Sequence, residues 1–123
     1  MKQCLVVDDS PIIRKVAKCL LTSMGYGVEE AEDGQQALEM CQKQAPDIIL
    51  LDRDMPVMGA QEFLNVLART HRSAKPFVLF ATTDFDPADI SRCIDAGADD
   101  YILKPFDRTS LAEKLQGCRE ATS

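Results

Sequence analysis

Positive charge is scarce in this sequence. Fourteen Lys and Arg stand against 20 Asp and Glu, for a formal net charge of −6. Affinity for phosphate backbones comes mainly from Lys and Arg, so this balance argues against a nucleic-acid partner and against docking on anionic lipid. It favours a metal cation instead. Long hydrophobic runs are missing too: no stretch approaches the ~18 apolar residues of a membrane span. The N-terminal Met1-Lys2-Gln3-Cys4-Leu5 leads into an apolar run that stops at Asp8, too short for a signal peptide. A cytoplasmic chain without membrane insertion is expected. The five cysteines, Cys4, Cys19, Cys41, Cys93 and Cys118, are odd in number and form no C-x-x-C pair, which leaves neither a zinc knuckle nor a dithiol redox motif. They read as free thiols in a reducing compartment. His71 is the only histidine and has no second ligand near it in sequence, so it is assigned no role.

What is present is ordinary globular material. The chain has 123 residues, of which 46% are hydrophobic and 28% charged, enough for one core and one domain over 1–123. Short apolar runs alternate with longer amphipathic ones five times. Cys4–Val7, Val28–Ala31, Ile48–Leu51, Phe77–Ala81 and Tyr101–Leu103 read as strands. Between them, Ser10–Met24 carries Ile13, Val16, Ala17, Leu20, Leu21 and Met24 at helical spacing, with Ser10 as cap and Pro11 in the first turn. Further helices are predicted from Asp33-Gly34 to Gln44, from Gly59 to Thr70 with Phe63, Leu64 and Leu67 inward, from Asp86-Pro87 to Gly97, and from Asp107 to Glu120. In the last, Leu111, Leu115 and Cys118 share a face. Alternation over the whole length implies a single α/β domain, a doubly wound parallel sheet covered by helices on both faces. The unbroken run Ile48-Ile49-Leu50-Leu51 fits a strand buried on both sides.

In such sheets ligands gather beyond the carboxyl ends of the strands. There the sequence puts Asp8 and Asp9, then Asp52 with Arg53 and Asp54, then Thr82, Thr83 and Asp84, then Lys104 and Pro105. Three carboxylates in one cleft repel unless a cation intervenes, and Mg²⁺, a hard ion that takes one or two carboxylates and a phosphate oxygen, suits them. A carboxylate can serve as nucleophile toward phosphorus, while the ion and an ammonium neutralise the equatorial oxygens.

Val6-Val7-Asp8-Asp9-Ser10, Ile48-Ile49-Leu50-Leu51-Asp52-Arg53-Asp54-Met55-Pro56, Ala81-Thr82 and Lys104-Pro105-Phe106, with Glu32-Asp33-Gly34 and Ala96-Gly97-Ala98, resemble the receiver domain of two-component response regulators, in its stand-alone CheY-like form. The resemblance spans essentially the whole chain. It implies a five-stranded sheet in the flavodoxin-like order 2-1-3-4-5. It implies a phosphorylation-dependent signalling switch rather than a turnover enzyme. Asp52 is then the phosphoacceptor, fed by a histidine kinase or phosphotransfer protein. Mg²⁺ is held by Asp9 directly, by Asp8 through water, by Asp52, and by the backbone carbonyl of Asp54. Thr82 and Lys104 contact the phosphoryl group. Tyr101 is the switch aromatic, Asp54 and Asp84 tune the phosphoryl lifetime, and the Lys104-Pro105 bond is cis. A downstream protein is expected on the face formed by the Asp86–Gly97 helix, the Tyr101–Leu103 strand and the final helix. Chemotaxis, a phosphorelay shuttle and a phosphate sink are all compatible processes. One departure concerns the loop after Met55-Pro56, where the usual Asp-Gly is replaced by Gly59-Ala60.

Three other readings compete. Asp52-x-Asp54 also resembles the nucleophile motif of haloacid-dehalogenase-type phosphatases, although that motif normally follows the first strand and two strands precede it here. Flavodoxins share the architecture, but Asp8 and Asp9 would repel a flavin phosphate. A degenerate receiver would act only as a binding module.

Overall fold

Helix starts are fixed by local chemistry. The Ser10 hydroxyl accepts the Ile13 N–H at 3.3 Å, ahead of Pro11. The Asp33 carboxylate accepts from Gln36 N at 2.8 Å and that of Asp86 from Ala88 N at 3.1 Å. Asp107 accepts the Ser110 N–H at 2.8 Å while the Ser110 hydroxyl accepts the Asp107 N–H at 3.0 Å, a reciprocal cap. Gly97, at φ 131°, takes the left-handed geometry that ends its helix.

The computed structural model describes residues 2–53, 58–70 and 75–122, the side chains of residue 70 and of 117–122 excepted. Its elements are β1 (Gln3–Val7), α1 (Pro11–Ser23), β2 (Gly27–Ala31), α2 (Gly34–Lys43), β3 (Ile48–Asp52), α3 (Ala60–Thr70), β4 (Phe77–Thr82), α4 (Pro87–Ala96), β5 (Asp100–Leu103) and α5 (Arg108–Thr122). The five strands are all parallel in the order β2-β1-β3-β4-β5. Each expected element is present, with ends that move by a residue or two.

Period-two alternation divides the central strands between two cores. Leu5, Val7, Ile49, Leu51, Val78 and Phe80 face α2, α3 and α4, where Phe63, Leu64 and Cys93 meet them. Cys4, Val6, Ile48, Leu50, Leu79 and Ala81 face α1 and α5, against Ala17, Leu21, Leu111 and Leu115. The α1 stripe is narrower than its spacing predicts. Ala17 and Leu21, one turn apart, are its buried residues, whereas Val16 is 45% exposed. Leu20 and Met24 are partly buried against the same core, while Val16, on the other side of Ala17, turns to the flank. Cys118, His71, and the Met55-Pro56 pair lie outside the described side chains.

Candidate functional site

Strand order reverses between β1 and β3, and the register brings their ends level. Val7 pairs with Leu51, Asp52 with Ala81, and Thr82 with Leu103. The next residue along each strand therefore falls at one edge: Asp8 after β1, Asp52 ending β3, Thr82 ending β4, Lys104 after β5. All but Lys104 are buried, with Asp8 at 3%, Asp52 at 6% and Thr82 at 2% exposure.

Lys104 holds the cluster together. Its ammonium donates to Asp52 Oδ1 at 2.7 Å and to Asp8 Oδ2 at 2.8 Å. Burial works to lower its pKa, but the hydrogen bonds and charges of Asp52 and Asp8 outweigh that, and the lysine is held above its ordinary value. It stays cationic throughout the neutral range. Asp8 is fixed from the backbone side as well: its Oδ1 accepts the Ser10 N–H at 2.9 Å, and its carbonyl accepts from Arg14 Nη1 at 2.7 Å. Arg14 is itself anchored by Glu30 at 3.2 Å.

Asp8, Asp9 and the Asp52 carboxylate each present an oxygen, and the three oxygens lie within 4.8 Å of one another. Such an all-carboxylate set fits a hard divalent cation and suits no thiophilic metal. Asp9 is the exposed member, open to water on the solvent side. Asp54 lies outside the described residues.

A family model described as "Response regulator receiver domain" matches residues 4–116. The chain belongs to the response regulator receiver family. Its members are phosphoacceptor signalling switches of two-component systems. Chemotaxis protein CheY4 of Vibrio cholerae is similar in structure, with a TM-score of 0.90 at 35% identity over 96% of this chain and 98% of that one. So is the receiver domain of sensor histidine kinase PA1611 from Pseudomonas aeruginosa, described with magnesium coordinated in its active-site cleft, at TM-score 0.85 and 30% identity over 94% and 95% of the two chains. Among curated relatives, the transcriptional regulatory protein KdpE of Mycobacterium tuberculosis is 37% identical over 116 residues, 94% of this chain and 50% of its own length. This receiver spans about half the length of the first curated relatives it matches. The family match replaces the phosphatase and flavodoxin readings.

Thr82, Asp84 and Tyr101 make contacts of their own. The Thr82 hydroxyl donates to the Asp84 carbonyl at 3.1 Å and accepts the Asp84 N–H at 3.2 Å, so it is turned into its own loop. The Asp84 carboxylate is solvent-facing. Tyr101 is half-buried, its ring tilted against Phe85 with centroids 5.9 Å apart and with Lys114 Nζ 4.3 Å from the ring centre. Lys114 also pairs with Asp100 at 3.3 Å, which holds the ammonium over that ring. The Lys104-Pro105 bond is cis, as the resemblance implied.

One feature escaped the sequence reading. Asp89, in the first turn of α4, is buried at 8% exposure. Its Oδ2 accepts from Arg53 Nε at 2.6 Å and its Oδ1 from Arg92 Nη2 at 3.3 Å. The Arg92 contact is an i, i+3 helical pair and is legible in the sequence. The Arg53 contact joins residues 36 positions apart and leaves no local signal.

Proposed function

We propose that Asp52 is the phosphoacceptor of this receiver, supplied by a histidine kinase or phosphotransfer protein in a Mg²⁺-dependent reaction. The observation that carries this reading is the Lys104 ammonium held between Asp52 and Asp8, with Thr82 at the same sheet edge. A carboxylate oxygen of Asp52 forms a bond to phosphorus as the donor's P–N bond breaks, and the leaving nitrogen takes up a proton. Asp8, Asp9 and Asp52, together with the Asp54 backbone carbonyl, would hold Mg²⁺. Bound there, the ion offsets negative charge on the phosphoryl oxygens. Lys104 stabilises the same charge, and Thr82 donates to one oxygen once its hydroxyl leaves Asp84. Asp54 and Asp84 flank the pocket and set the lifetime of the adduct.

The new charge shifts an equilibrium in α4, β5 and α5. Tyr101 follows Thr82 inward. A downstream protein docks on this face, where Phe85 is 60%, Leu103 42% and Ile94 38% exposed. Signalling runs through that protein contact; the chain accepts phosphate and releases it without turning over a separate substrate.

Intact mass after incubation with phosphoramidate and Mg²⁺ tests the assignment. One phosphoryl adduct is expected, absent in Asp52→Asn and in the presence of EDTA. An adduct that persists in Asp52→Asn refutes Asp52 as acceptor. No adduct from either phosphoramidate or a phosphorylated kinase supports a degenerate receiver that acts as a binding module.

A further inference from the structure

Consecutive residues at the end of β3 serve opposite faces of the sheet. Asp52 shares the parity of Ile48 and Leu50 and turns toward Lys104. Arg53 shares the parity of Ile49 and Leu51, and its N–H donates to the Ala81 carbonyl at 2.9 Å, extending the β3–β4 pairing one residue past the strand. Its guanidinium reaches α4. There it meets Asp89 at 2.6 Å, and at 3.8 Å it lies beside Asp84. These two acids bracket the β4–α4 loop.

The Asp89 contact dominates. The Asp84 side chain is 78% exposed, so its pairing is screened and contributes little. The Asp89 side chain is only 12% exposed and that of Arg53 29%, and the contact is a short charge-assisted hydrogen bond. A carboxylate on the inward face of a helix, one turn before the fully buried Cys93, is kept only if it is paired. That face would otherwise carry an apolar residue.

We propose that the Arg53–Asp89 ion pair is a tether that restrains phosphoryl capture, with Arg53 as a positioning residue. The proposal rests on Asp52 being the acceptor. Arg53 fixes α4 to the end of the acceptor strand. It thereby fixes the β4–α4 loop in the arrangement where Thr82 spends both its hydrogen bonds on the Asp84 backbone. Capture needs that hydroxyl turned toward the phosphoryl group. A receiver in which the competent arrangement is a minor fraction accepts phosphate more slowly in proportion to that fraction. Removing a contact made in the resting arrangement raises the fraction.

The experiment is a double-mutant cycle of Arg53→Gln, Asp89→Ala and the double variant on the full chain. Adduct formation from phosphoramidate is followed by intact mass, and amide exchange is measured on each unphosphorylated protein. Each single variant is expected to take up phosphate about threefold faster or more, within the range by which packed networks modulate coupling. The double variant is expected to be no faster than the singles, because both remove the same contact. Exchange should quicken across residues 83–97 in all three variants and stay unchanged in β1 and α1. Unchanged or slowed uptake in the singles overturns the tether. So does a double variant whose gain is the product of the two. Exchange that quickens throughout the sheet marks simple destabilisation and also overturns it. A wild-type protein that forms no adduct with phosphoramidate or with a phosphorylated kinase refutes the acceptor reading and the restraint that rests on it, whereas, with a wild type that does form the adduct, unchanged exchange at 83–97 in the variants overturns the tether alone.

Discussion

At the scale of single residues, burial decides which groups are reactive. Cys41 is held in an apolar pocket that pushes its thiol up to about 11, and burial, then the Asp89 charge, raises Cys93 as well. The thiolate is the reactive form, so at pH 8 these thiols are both shielded and protonated. Cys4 is likewise buried, and Cys19 on α1 is exposed. Among these four described cysteines, alkylation of the native protein at pH 8, mapped by mass spectrometry, should therefore mark Cys19 first. Cys4, Cys41 and Cys93 should follow only as fast as the fold opens. Rapid labelling of Cys41 in the folded protein would contradict its placement. The same logic explains Lys104. A carboxylate pair at this proximity costs little while the ammonium lies between its members. The sequence reading assigned the relief of that repulsion to a metal alone, because the spacing of residues 8, 52 and 104 carries no information about which cation comes nearest.

At the scale of elements, caps are local and read directly from sequence, whereas lateral contacts are not. Ser10, Asp33, Asp86 and Asp107 each occupy the start that their chemistry predicts. The buried runs of β3 and β4 were equally legible, since four or more consecutive apolar residues fit few other environments. What local pattern could not supply was the orientation of one element on another. Val16 fits a helical stripe and lies off it. Asp89 has no local signal of burial, yet it is buried and paired with Arg53. The α5 cap has a pH dependence of its own. Hydrogen bonds from the Ser110 N–H and then its hydroxyl hold the Asp107 carboxyl below its ordinary value. A carboxyl depressed on folding stabilises the native state above its unfolded pKa, and that contribution is lost as pH falls through the folded pKa. The melting temperature of Asp107→Ala should accordingly lie below wild type at pH 7. The gap should narrow as the pH drops through the acidic carboxylate range. A gap that is constant with pH would assign the effect to helix propensity instead.

At the scale of the whole molecule, two cores share one sheet, and the central strands stabilise both. Phe80 on β4 is fully buried against the α3–α4 side, directly behind Ala81 and Thr82 on the route to the acidic edge. Truncating a buried Phe to Ala typically costs about 3–5 kcal/mol, a large share of the ~5–15 kcal/mol that a domain possesses. Phe80→Ala should lower the denaturant midpoint by a corresponding amount and reduce phosphate acceptance with it. A midpoint close to wild type would mean the core closes over the gap. The pairing of Lys104 with Asp8 has a consequence for biosynthesis. Ninety-six positions separate the two residues, and four of the five strands, β2 to β5, lie between them. During translation Asp8 and Asp52 emerge before Lys104. A nascent or truncated chain that ends before β5 thus carries its carboxylates without their counter-charge. Until β5 joins the sheet, Asp8 and Asp52 lack the ammonium that lies between them in the finished fold.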